Sequence, residues 1–348
     1  VLTRQALKSL SLSALLASAI GGCATRAAEP VTPGPSPASV PPARLEIAAW
    51  TTHHGADQGL VGHLYDPRQH RMVSREEAEA RVRKASVLVV GEKHDNPDHH
   101  RIEAELIAVA TEGRKGSLVV EMIARDKQAA LTGAESGTPE ALATAVDWDH
   151  SGWPPFAEYR PVFAAALEHH LTLYAGDMTH ETAHLVAHEG LGAVDPALAA
   201  RFDLSTPLPA EAEKELEQEV ADVHCGMLPP KFLAPMSMAQ RVRDASLAAA
   251  VADADNRAGG LVTVLVSGNG HARTDRGVPA LLTRVAKPPV APGRVLSVGI
   301  LEVDDVWKQP ADYAKEFHAA DVPFDLVWFT PRANEDDPCA QMKAPSGK

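Results

Sequence analysis

Cysteine is scarce in this chain: Cys23, Cys225 and Cys339 are the three present. That excludes the disulfide framework on which small secreted domains depend. Positive charge is also in deficit, with 33 Lys and Arg against 46 Asp and Glu and a net charge of −13. Taking away the two positive charges of Arg4 and Lys8, in a leader that holds no acid, leaves −15 for the remainder. Such a balance argues against nucleic acid as a partner, because no basic surface offsets phosphate repulsion. Long apolar runs are missing too. The stretch from Leu10 to Ile20 is shorter than the ~20 residues a membrane span needs. No internal repeat of fixed period is present.

The short apolar run has a different reading. Arg4 and Lys8 precede it, and Ile20-Gly21-Gly22-Cys23 follows, an aliphatic residue and two small ones before a thiol. This is the pattern of a lipoprotein signal, with lipid carried on Cys23. Ala24 after the cysteine favours the outer membrane, if the host has one. Residues 24–44 carry Pro30, Pro33, Pro35, Pro37, Pro41 and Pro42 among Ala, Ser and Thr, an extended tether with little to bury. The expected organisation is a signal over 1–22, a lipidated tether over 23–44, a domain over 45–335 and a tail over 336–348. The expected location is the cell envelope. Cys225 and Cys339 are then left either to pair or to sit as buried thiols, and the second is the reading preferred here.

Six short apolar runs read as strands buried on both faces: Ser86–Val90, Ser117–Val120, Leu171–Ala175, Leu261–Val266, Val295–Leu301 and Phe324–Phe329. They are Val- and Leu-rich without polar alternation. Between them, helical patterns cover 138–147, 158–170, 180–190, 210–224 and 236–255. Another follows the first strand, with Asn96 as its cap and Pro97 at its first position. The alternation predicts an α/β domain with a mainly parallel central sheet, helices on both faces and helical insertions. The segment 125–160, with Trp148, Trp153, Pro154 and Pro155, is less regular and reads as a lid or pocket rim.

The chemistry gathers where strands end, which is where open parallel sheets bind ligands. The first strand runs into Gly91-Glu92-Lys93-His94-Asp95-Asn96, the second into Glu121-Met122, the third into Gly176-Asp177 and the fourth into Gly268-Asn269-Gly270-His271. Histidine with nearby carboxylate suits a divalent, zinc-like metal that would activate water. Histidine, tyrosine and methionine also ligate haem iron in an apolar pocket, and residue type alone does not separate the two. His180-Glu181-Thr182-Ala183-His184 matches the zinc-protease motif. Against it, the chain has 16 histidines, the motif opens a helix directly after a strand, and no Gly-x-x-His extension follows. His224-Cys225-Gly226-Met227 offers soft ligands, yet no Cys-x-x-Cys-His site for covalent haem exists. Gln240 and Asp244 share a helix face that can point at the pocket. Arg241 beside them either holds a propionate or an anionic substrate, or makes a surface ion pair.

The run Val87 to His100, with Gly91-Glu92-Lys93-His94-Asp95-Asn96-Pro97 at its centre, resembles the opening motif of ChaN-like haem-binding lipoproteins. Val119-Val120-Glu121-Met122, Tyr159-Arg160-Pro161, His224-Cys225-Gly226, Met238-Ala239-Gln240, Arg243-Asp244-Ala245, Gly268-Asn269-Gly270-His271 and Gly277-Val278-Pro279 are similar in the same order. Val327-Trp328-Phe329-Thr330-Pro331-Arg332 closes the match, which covers roughly 83–332. The resemblance implies a membrane-anchored protein that binds haem in iron uptake, with a homodimer interface as one place for it. It also implies tyrosine ligation assisted by histidine, and Tyr159 lies in a matched segment. The candidate haem residues are Glu92, His94, Glu121, Tyr159, His224, Arg241 and His271. The family looks related to Tiki-type metalloproteases and erythromycin esterases. The alternative implied is therefore a metal-dependent hydrolase with its site on Glu92, His94, Glu121 and His271, the metal held by His94, Glu121 and His271.

Overall fold

The computed structural model describes residues 49–258, 261–335 and 339. The expected signal, the expected lipidation at Cys23 and the proline-rich stretch lie outside the described residues, as does the expected tail over 336–348 apart from Cys339. The strands are β1 (Leu64–Asp66), β2 (Arg71–Val73), β3 (Val87–Glu92), β4 (Gly116–Ala124), β5 (Thr172–Asp177), β6 (Val262–Gly268), β7 (Val295–Glu302) and β8 (Leu326–Thr330). The helices are α1 (Arg75–Lys84), α2 (Pro97–Thr111), α3 (Gln128–Ala134), α4 (Pro139–Ala145), α5 (Phe156–Glu168) and α6 (His180–Glu189). After them come α7 (Pro196–Arg201), α8 (Ala210–Val223), α9 (Leu233–Ala258), α10 (Asn269–Ala272) and α11 (Val278–Ala280).

Among the described residues the strands form one sheet in the order β2-β1-β8-β7-β3-β6-β4-β5. The six strands expected from the sequence are all there and pair in parallel. β1 and β2 add an antiparallel edge. The Val-rich runs are continuous because both faces are covered. Leu88 and Val90 of β3 pack with α1, α2 and α5, while Val87 and Val89 face the side of α9. The same split recurs in β4, where Leu118 and Val120 join the first cluster and Val119 the second. Two packed faces leave one free edge for a ligand: the row where β3, β4, β5 and β6 end.

The corner after β3 is fixed by its own polar groups. The Asn96 side chain accepts from the Asp98 N–H, with Pro97 at the first helical position, while its amide donates to Glu302 at 2.8 Å and the Pro331 carbonyl at 3.1 Å. Asp98 accepts from the backbone and hydroxyls of Thr51 and Thr52. His99 takes the Lys93 N–H on Nδ1, so its Nε2–H donates to Thr330 Oγ1 at 2.8 Å. Burial, the largest influence on His99, holds its pKa down to about 3, so it is a neutral strut.

The preferred reading of Cys225 and Cys339 as separate thiols is overturned: the two are disulfide-bonded, with Cα atoms 5.3 Å apart. A link across 114 residues has no spacing rule that a sequence displays.

Candidate functional site

The strand ends deliver their side chains to one place. Glu92, the last residue of β3, is wholly buried. Its Oε1 lies 2.9 Å from His94 Nδ1 and accepts the Tyr159 hydroxyl at 2.8 Å. Its Oε2 is 2.7 Å from His100 Nε2. Burial acts to raise the Glu92 carboxyl, but His100 and His94 outweigh it and hold its pKa at about 2. Tyr159 is fully buried and its phenol is pushed upward, chiefly by burial and then by the Glu92 charge. It is a neutral donor that orients the carboxylate.

Glu121, within β4, is the second hub. Its Oε2 accepts the Gly268 N–H at 2.7 Å, and its Oε1 accepts Arg243 at 2.6 Å with His271 Nε2 at 3.3 Å. Arg243 of α9 also reaches Asp177, at the end of β5, through two nitrogens at 2.9 and 2.7 Å. His271 Nδ1 lies 2.7 Å from Asp244. Burial acts to lower the His271 pKa, but Glu121 and Asp244 outweigh it and lift it to about 10. Burial acts to lower His94 as well, and there Glu121 and Glu92 outweigh it and raise the pKa. His94 Nε2 is 3.9 Å from Glu121, and its ring packs edge-on against Trp153 with centroids 4.7 Å apart.

Gly268 makes room for this arrangement. A Cβ there would lie 2.9 Å from His94 Nε2. Gly268→Ala is therefore expected to push the imidazole off Glu121 and cost about 1–3 kcal/mol. Urea denaturation reads this as a lower midpoint, and an unchanged midpoint would show that His94 is not held in place.

Of the predicted residues, Glu92, His94, Glu121 and His271 come together around a cavity of about 660 Å³, with Gln240 and Arg243 in its wall. A larger cavity of about 1510 Å³ shares Glu121, Val220, Val223, Gln240 and Arg243 with it. The larger one is lined by His224, by His180, His184 and His188 of α6, and by Trp148 and Trp153 of the segment read as a rim. Arg241 is a correction. It lines a separate cavity of about 200 Å³, beside Phe202 and Leu208, and donates to the Thr206 carbonyl. The arginine at the site is Arg243, three residues after Gln240 and so on the same helical face.

Metal ligation by His94, Glu121 and His271 does not match the geometry. Among the described residues, three donor atoms lie within 4.8 Å of one another in one group, the buried Glu92, His100 and Glu103. Glu121 is already neutralised by Arg243 and His271. The zinc-protease motif likewise forms no such group. His180 and His184 sit one turn apart on α6, which Thr179 caps, and both line the large cavity.

The family model described as haem-binding uptake, Tiki superfamily, ChaN matches residues 78–282. The chain belongs to this family. The solved structure of ChaN of Campylobacter jejuni, described as showing cofacial heme binding, has the same fold at 16% identity and a TM-score of 0.57. The match covers 76% of this chain and 95% of that one. A mutant of the erythromycin esterase EreC, in its open conformation, aligns at 11% identity over 79% of this chain and 99% of that one, with a TM-score of 0.42. The type III effector HopBA1 aligns at 12% identity over 74% of this chain and 92% of that one, with a TM-score of 0.38. No curated protein matches the sequence. The ChaN-like motifs that carried the resemblance, Gly-Glu-x-His and Gly-Asn-Gly-His, are the two corners that meet at Glu121.

Proposed function

We propose that this chain binds haem reversibly in the 1510 Å³ cavity beside the strand ends, as a lipid-anchored carrier that captures or relays haem at the cell envelope in iron uptake. The observation that carries the proposal is the cavity itself, in a chain of the ChaN-like family. It exceeds the ~300–1,000 Å³ of pockets for drug-sized ligands, so it has room for a macrocycle. Its walls suit one: Trp153, Phe232, Met178 and Met236 give apolar surface, while imidazoles supply nitrogen donors and Lys127 supplies positive charge. Bound haem would contribute its iron as the Lewis acid those donors hold. The membrane anchor rests on the Cys23 pattern, and the homodimer that the resemblance implies belongs to the same proposal. Titrating the full chain with haemin is expected to give a saturable Soret shift. A linear, non-saturating absorbance would refute haem binding.

A hydrolytic reading is favoured by one feature, the two carboxylate–histidine pairs Glu92–His94 and Asp244–His271, with Nδ1 to oxygen distances of 2.9 and 2.7 Å. Such pairs orient an imidazole for proton transfer. Turnover on an ester panel, lost in His94→Ala, would support it.

A further inference from the structure

A haem that this chain holds by itself in the large cavity takes its axial ligand from the cavity wall. None of the four tyrosines is there. Tyr159 and Tyr313 are fully buried, with their hydroxyls bonded to Glu92 and to the Asp304 N–H respectively. Tyr65 is buried and pairs with His70, and Tyr174 lies on β5. None of them lines this cavity or the neighbouring one. The walls offer imidazoles, and they differ in readiness. His150 is tied to Asp147 Oδ1 at 2.8 Å. His180, His184 and His188 of α6 are exposed, and the last two pack with tilted rings, centroids 4.3 Å apart.

His224 is different. It caps the C-terminal end of α8, and its Nδ1 lies 2.7 Å from the Val220 carbonyl. A carbonyl only accepts, so Nδ1 carries a proton, and in the neutral ring the lone pair is on Nε2. This is how metal-binding histidines are held: the outer nitrogen bonds backbone oxygen, which fixes tautomer and ring orientation for the inner one. The next residue, Cys225, is bonded to Cys339. α6 and α8 both pack on α9, and both ends carry histidines that line the cavity.

We infer that His224 is the haem-iron ligand of this chain, through Nε2. The inference rests on the haem reading proposed above, and departs from the tyrosine ligation that the resemblance implied. The test is a haemin titration of the full chain, its His224→Gly variant and its Tyr159→Phe variant, followed by absorbance and electron paramagnetic resonance. The wild type and Tyr159→Phe are expected to show the same nitrogen-ligated spectrum. His224→Gly is expected to lose that signature and weaken binding at least about tenfold, which is ~1.4 kcal/mol, and added imidazole to restore the spectrum. A His224→Gly spectrum identical to wild type, or a wild-type spectrum lost in Tyr159→Phe, would overturn the assignment while leaving haem binding intact. Absence of saturable binding in the wild type would instead remove the haem reading.

Discussion

Arg243→Ala is expected to destabilise the protein by about 3–5 kcal/mol, the cost of leaving a buried charge without its partner. The guanidinium is the cation shared by Glu121 and Asp177, whose side chains are 2% and 11% exposed. Burial acts to lower the Arg243 pKa, yet Glu121 and Asp177 more than compensate and raise it. Without Arg243, Glu121 is left with His271 and the more distant His94, and Asp177 loses both of its guanidinium contacts. Urea denaturation at neutral pH measures the loss. Adding Glu121→Gln in the same chain is expected to return part of it, because one of the two stranded charges is then gone. A loss under about 1 kcal/mol would mean the pair behaves as a surface ion pair.

The second large effect is on pH dependence. His271 is lifted from its ordinary 6.5 to about 10 in the fold. Its protonated form is what the folded state favours, so this contribution is complete below pH 6.5 and is lost as pH climbs through 10. The slope is at most about 1.4 kcal/mol per pH unit for one proton. Glu92 has the opposite sign. Held at about 2 against an ordinary 4.5, it contributes above pH 4.5 and loses that contribution as pH falls through 2. Stability is therefore expected to be greatest between these windows. In His271→Gln the alkaline decline should shrink to the share of His94, whose pKa is also raised, while the acid decline remains. An alkaline decline that persists unchanged in His271→Gln would place its origin elsewhere.

Much of this was legible in residue order because burial leaves a pattern. β3, β4 and β6 are covered on both faces, so each read as an unbroken apolar run, and the residue after each run marked the ligand edge. β1 and β2 have three residues each, too short for a period to show. Helix direction was harder. α9 is rich in alanine, so its polar residues fit more than one face, and composition does not separate Arg241 from Arg243. The three-residue step from Gln240 is what puts Arg243 on the site's side. His100 and Glu103, also three apart on α2, escaped notice because their role depends on Glu92 lying across from them, a tertiary fact. The larger cavity arises where α6, α8, α9 and the rim meet, and the smaller where α8 and α9 face the ends of β3, β6 and β7, which no local signal encodes.

Those walls set the decisive observation, a crystal structure of the full chain with haemin. One iron site is expected in the large cavity, with His224 Nε2 at bonding distance and the Glu92–His94–Glu121–His271 constellation left as it stands. Iron bound outside that cavity, or bound within it by a residue other than His224, would contradict it.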